Sequence, residues 1–157
     1  IFLMKKLIEY VNDLRTYLPN ANKLNEKVSS SNVGWHIDHS LLVLSQIITA
    51  MESSDPVYYR FQFNIKRFLA FSLNRFPRGV AKAPKLVKPT EAFDEANTIA
   101  AFENIQQRLI VLENLTPNQF FIHPFFGKLN KKAAIKMLTI HTAHHILIIK
   151  DIIHKQA

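Results

Sequence analysis

Residues 31–50, SNVGWHIDHSLLVLSQIITA, decide the fold. Wound as a helix, the stretch is apolar on most of its circumference (Val33, Trp35, Ile37, Leu41, Leu42, Val43, Leu44, Ile47, Ile48), the pattern of a helix packed on several sides in a bundle core. Ser30, Ser31 and Asn32 precede it as candidate caps, able to accept hydrogen bonds from the first free backbone amides. The spacing therefore predicts a helix over about 32–53. Any polar side chain that points inward from it needs a partner, and the stretch carries two imidazoles, His36 and His39.

Toward the N-terminus, Leu3, Leu7, Val11, Leu14 and Leu18 recur at spacings of four and three, one face of an amphipathic helix ended near Pro19. Toward the C-terminus, the aromatic-rich VYYRFQFNIKRFLAFSLNRF (57–76) fits a helical stripe of Phe61, Ile65, Phe68 or Leu69, Ser72 and Phe76, with its first residues open to an extended form. PRGVAKAPKLVKPT (77–90) follows, where Pro77, Pro84 and Pro89 disfavour helix. Long irregular connectors in compact domains are often functional. Thr90 is the expected cap of a third main helix, with Glu91, Asp94 and Glu95 at its positive end. Phe93, Ala96, Ile99 or Ala100, Phe102, Ile105, Leu109 and Leu112 carry that helix to about 114. A second connector, TPNQFFIHPFFGKL, leads to Asn130, the expected cap of a fourth helix from 131 to about 155, with an inner stripe of Leu138, His141, His145, Ile148 and Ile152. Four principal helices make an all-α four-helix bundle, with a long basic connector between the second and third, the natural architecture.

A chain of 157 residues, about half apolar, suits one domain over 1–157. Three glycines and seven prolines argue against a barrel or sandwich of many tight turns. Without cysteine, disulfides and thiolate metal sites are excluded, and metal chemistry must rest on histidine and carboxylate. The opening IFLMKKLIEY lacks the layout of a secretory signal, and no apolar run reaches the length of a membrane span. A soluble, cytoplasmic protein is the expectation, with Met4 as a candidate native start.

The net charge of +8 is concentrated. Between Asp55 and Glu91 there is no acidic residue, while Arg60, Lys66, Arg67, Arg75, Arg78, Lys82, Lys85 and Lys88 equal the whole excess. Such a field attracts nucleic acid, an anionic lipid surface or a small anionic substrate by the same Coulomb attraction, and a solvated basic loop has the same composition.

In IHTAHHILI (140–148), His141 and His145 are four residues apart and project from one helix face within reach of a single ion. They share their stripe with Leu138, Ile148 and Ile152, so as inward imidazoles they need hydrogen-bond partners or a metal. His36 or His39 from the second helix would complete three nitrogen ligands and leave positions open to water or substrate.

At these residues SNVGWHIDHSLLVL resembles the helix-two motif of the DinB-like (YfiT-like) metalloenzyme superfamily, and HTAHHILII resembles its helix-four motif, His-x-x-His-His. HPFFGKLNKKAAIKMLTIHTAHH and the basic PRGVAKAPK are similar to the subgroup known as DUF1569 proteins. The resemblance covers nearly the whole chain. It implies an up-and-down four-helix bundle holding Ni, Zn or a similar divalent ion, with ligands falling on His39, His141 and His145. His36, His144 and His123 are then candidates to orient a ligand or line the pocket. Many relatives carry Arg-Gly-Gln after the paired histidines where this chain has Ile146, Leu147 and Ile148; if that cluster binds substrate in them, this chain uses other groups or has a different substrate.

Asp38, beside His39, would orient a ligand only if it faced inward, and Trp35 with Phe120, Phe121, Phe125 and Phe126 reads first as core. The superfamily includes thiol-dependent transferases and isomerases, so the resemblance implies a metal-dependent thiol transferase or hydrolase acting on a small molecule, with a low-molecular-weight thiol as co-substrate. No catalytic side chain is assigned. The alternative is a non-catalytic bundle whose basic segment 60–88, interleaved with aromatics, binds nucleic acid or another anionic partner. A further alternative is a dimerising bundle whose metal is only structural or has been lost.

Overall fold

Asn32 sits in extended backbone and its side-chain oxygen accepts from the Trp35 amide at 2.8 Å, so helix α2 starts at Val33 and runs Val33–Glu52. The computed structural model describes residues 2–79 and 84–155; Lys82 of the basic connector lies outside the described residues. Among these it has five α-helices: α1 Phe2–Arg15, α2, α3 Ile65–Leu73, α4 Glu95–Asn114 and α5 Lys131–His154. A hairpin of β1 Phe120–His123 and β2 Gly127–Asn130 precedes α5, antiparallel and registered from Phe120 opposite Asn130 to His123 opposite Gly127.

The expected stripe of α1 is the buried one: Leu7, Val11 and Leu14 are inside together with Met4. The helix stops at Arg15, and Pro19 lies in a separate 3-10 turn, Leu18–Asn20. α5 packs on α1 and α2, and α4 packs on α2 and α1, which encloses a core that includes Leu44, Ile48, Phe102, Ile105, Leu112 and Leu138. The Asn130 side chain accepts from the Ala133 amide at 3.1 Å and caps α5 as its sequence predicts. No helix among the described residues is long and apolar enough to cross a membrane.

Three expectations are corrected. The chain is mostly helical but not all-α, because the second connector forms the hairpin. Ser54 Oγ accepts from the Phe120 amide at 2.9 Å and Gln119 donates to the Met51 carbonyl at 3.2 Å, so the end of α2 anchors its first strand. Its turn closes through Gly127 at φ 70°, a left-handed conformation that costs glycine little. Next, the cap of α4 is Asp94, not Thr90, with its carboxylate accepting from the Asn97 amide at 2.8 Å. The chain stays non-helical to that point while Phe93 packs on Gly34; a Cβ there would meet its ring at 2.7 Å.

The third concerns α3. Its apolar residues Ile65, Phe68, Leu69 and Leu73 are more than half exposed, whereas Arg67 is 8 % exposed. Arg67 donates to the carbonyls of Phe126, at 3.5 Å, and Lys128, at 3.0 Å, and to that of Gln62, so its guanidinium ties the connector to the hairpin. Satisfying three carbonyls turns the helix so that its arginine faces in and its apolar stripe out. Residues 59–64 have no regular secondary structure and follow a 3-10 turn, Pro56–Tyr58.

Candidate metal centre

His39 comes from the second turn of α2, and His141 and His145 come from consecutive turns of α5, the helix packed against it. One ring nitrogen of each lies within 4.8 Å of the other two. Ring centroids are 5.1 Å apart for His39 and His141, 4.7 Å for His39 and His145, and 4.6 Å for the pair on α5. An ion bonded at about 2.1 Å to each nitrogen would need them drawn somewhat closer, a motion within reach of side-chain rotation.

The three rings differ in what holds them. The His39 Nδ1–H donates to the Val87 carbonyl at 2.6 Å, which leaves Nε2 of the neutral ring bare. The Trp35 indole stacks on the same imidazole, centroids 4.9 Å apart and planes 12° from parallel. His145 Nδ1 lies 2.9 Å from Nδ1 of His36. His141 Nδ1 is buried with no hydrogen-bond partner among the described residues. Buried polar atoms are nearly always satisfied, and an ion would satisfy this one.

Burial lowers the pKa of all three, and of His141 and His145 well below the ordinary imidazole value, with neighbouring histidines adding to the effect. For His39 the bond to Val87 partly opposes it. Neutral rings with free lone pairs are what a divalent ion requires. The donor set fits a borderline ion such as zinc or nickel, and three protein nitrogens leave room for further ligands.

The other candidates fall around this cluster. His36, one turn before His39, is buried and touches His145; desolvation, reinforced by His39, His144 and Arg78, lowers its pKa to about 4. His144 stands edge-on to His145 at 5.3 Å and faces Phe76, with its pKa lowered by burial. His123 works within its own turn: its Nδ1 accepts from the amides of Phe125 at 3.1 Å and Phe126 at 3.3 Å, its ring stacks on Phe126, and burial brings its pKa to about 4. Asp38 turns away to α4, accepting from the Thr98 hydroxyl at 2.6 Å.

Sequence reasoning missed three supports: the Val87 carbonyl, the Trp35 stack and Ser29, whose Oγ lies 3.0 Å from His36 Nε2. The Trp35 to His39 spacing of four on one helix could have suggested the stack. A backbone carbonyl leaves no sequence signal. Of the basic segment, Arg67 is structural and Arg78 pairs with Asp151 at 2.6 Å. Lys66, Arg75, Lys85 and Lys88 are exposed; Lys85 opens the 3-10 turn that presents the Val87 carbonyl and Lys88 follows it.

Residues 6–151 match the sequence profile of a family described as "Protein of unknown function (DUF1569)". No curated protein and no solved structure matches the chain.

Proposed function

The chain belongs to the DUF1569 family, and from its histidine cluster we propose that it is a divalent-metal-dependent enzyme of the DinB-like superfamily. In this reading it is a thiol transferase or hydrolase acting on a small, negatively charged molecule. The helix pairings support an up-and-down four-helix bundle of α1, α2, α4 and α5, with α3 and the hairpin as additions. The single observation that carries the proposal is the convergence of His39, His141 and His145, with an unpartnered, buried Nδ1 on His141.

His39, His141 and His145 would hold the ion, nickel or zinc, which when bound supplies a Lewis acid with positions open to water or a thiol. The chain's own groups prepare the cluster. The Val87 carbonyl fixes the proton of His39 on Nδ1, Trp35 keeps that ring flat against the indole, and the buried surroundings keep the imidazoles unprotonated. Lys85 and Lys88 add positive charge beside the turn that holds His39, which suits an anionic substrate.

Elemental analysis of tag-free protein tests the reading. About one divalent ion per wild-type chain is expected, falling to near zero in His141→Ala; equal metal content in the two would refute it. A second reading has its own observation: Tyr58, Phe61, Phe63 and Phe68 are exposed beside Lys66 and Arg75, an arrangement that suits single-stranded nucleic acid. Filter binding that weakens steeply with salt would support it, and no affinity at low salt would dismiss it.

A further inference from the structure

His36 is as buried as the ligand candidates beside it, at 4 % exposure, and is not in the set of three converging nitrogens. Both its ring nitrogens are engaged. Nδ1 lies 2.9 Å from Nδ1 of His145, and Nε2 lies 3.0 Å from Ser29 Oγ. The Ser29 oxygen also accepts from the Ser31 amide at 3.1 Å.

A hydrogen bond between two imidazole nitrogens contains one proton, so two arrangements exist for neutral rings. If the proton sits on His36 Nδ1, the facing His145 Nδ1 is bare and His145 carries its own proton on Nε2. Nδ1 is then spent as the acceptor from His36, and Nε2 cannot bind an ion. If the proton sits on His145 Nδ1, its Nε2 has a free lone pair. His36 then accepts on Nδ1 and donates its Nε2–H to Ser29 Oγ, which takes that proton and the Ser31 amide on its two lone pairs. Only the second arrangement leaves His145 Nε2 bare for an ion, with the hydroxyl hydrogen of the half-buried Ser29 turned to solvent.

We propose that His36 is a positioning residue: its Nδ1 holds the His145 proton on Nδ1 and aims His145 Nε2 at the metal, while Ser29 Oγ accepts the proton that His36 then carries on Nε2. The inference rests on the metal-binding reading. His36 gives His145 what the Val87 carbonyl gives His39, an acceptor on the nitrogen away from the ion. Such outer partners typically change metal affinity roughly 10- to 100-fold.

The test is zinc affinity by chelator competition for wild type, His36→Leu and His36→Asn, with thermal melts to follow folding. Leucine keeps the apolar packing but not the acceptor; asparagine places an amide oxygen near the position of Nδ1. The expected result is a loss of roughly 10- to 100-fold for leucine and at most a few-fold for asparagine. A packing role predicts the opposite order, and equal affinities in all three proteins would overturn the inference. Wild type that takes up no zinc would instead refute the metal reading itself. The tautomers are also read without a variant, from long-range proton–nitrogen spectra of 15N-histidine-labelled, zinc-loaded wild type. His145 is expected with its proton on Nδ1 and His36 with its proton on Nε2, and the reverse assignment would overturn the proposal even if His36→Leu does not fold.

Discussion

At Trp35 the indole lies parallel to the His39 ring, and the two share one face of α2. Aromatic pairs of this kind contribute about 0.5–1.5 kcal/mol beyond area burial. Trp35→Ala is therefore expected to weaken zinc binding by roughly 3- to 10-fold, with Trp35→Phe close to wild type in the same competition titration. His36 and His123 carry a pH consequence for the metal-free protein. Each titrates near 6.5 when unfolded and near 4 when folded, because burial disfavours the charged ring. Between those values the unfolded chain binds more protons, so stability is fully present above pH 6.5 and is lost as pH falls toward 4. Urea midpoints in chelator from pH 7.5 to 4.5 should fall in that window, and a flat profile would contradict the burial of these rings. The four-residue spacing of His141 and His145 was legible in the sequence. The choice between His36 and His39 was not legible from spacing, because they stand one turn apart and their partners, Val87 and Ser29, lie in connectors of no regular period.

At the scale of elements, α3 and the hairpin are where periodicity misled. The stripe Ile65, Phe68, Leu69 marks a helix, and a helix forms, yet those side chains are exposed and Arg67 is buried. Periodicity registers apolar area but not the carbonyls of Gln62, Phe126 and Lys128 that the guanidinium satisfies. Arg67→Leu should consequently cost about 3 kcal/mol, since it leaves buried backbone acceptors unpaired. The urea midpoint reads that loss, and a variant as stable as wild type would show that Arg67 does not hold the hairpin. The hairpin itself was hidden for a related reason: its strands of four residues are too short for alternation to show, and its anchors at Met51 and Ser54 are far away in sequence. The helices α2 and α5 were legible because cap and apolar spacing agree in them, at Asn32 and Asn130, and α1 was legible from its apolar spacing alone. Phe93 packs on Gly34 just before the start of α4, an interaction no local pattern contains.

For the whole molecule, the histidine cluster joins α2 to α5, each of which buries twelve residues, and through Val87 it reaches the basic connector. An ion bound there would clamp three segments that are distant along the chain. Binding at about a hundred times the dissociation constant adds about 2.7 kcal/mol of stability, which for a domain of this size corresponds to a melting shift of roughly 5–10 °C. Chelation should lower Tm by that amount and zinc should restore it, whereas His141→Ala should melt at one temperature with or without chelator. The most direct test of the central claim is an anomalous difference map, recorded at the zinc edge, from crystals of tag-free protein grown with zinc. A single strong peak bonded to His39, His141 and His145 is predicted; a map without density between those three rings would contradict it.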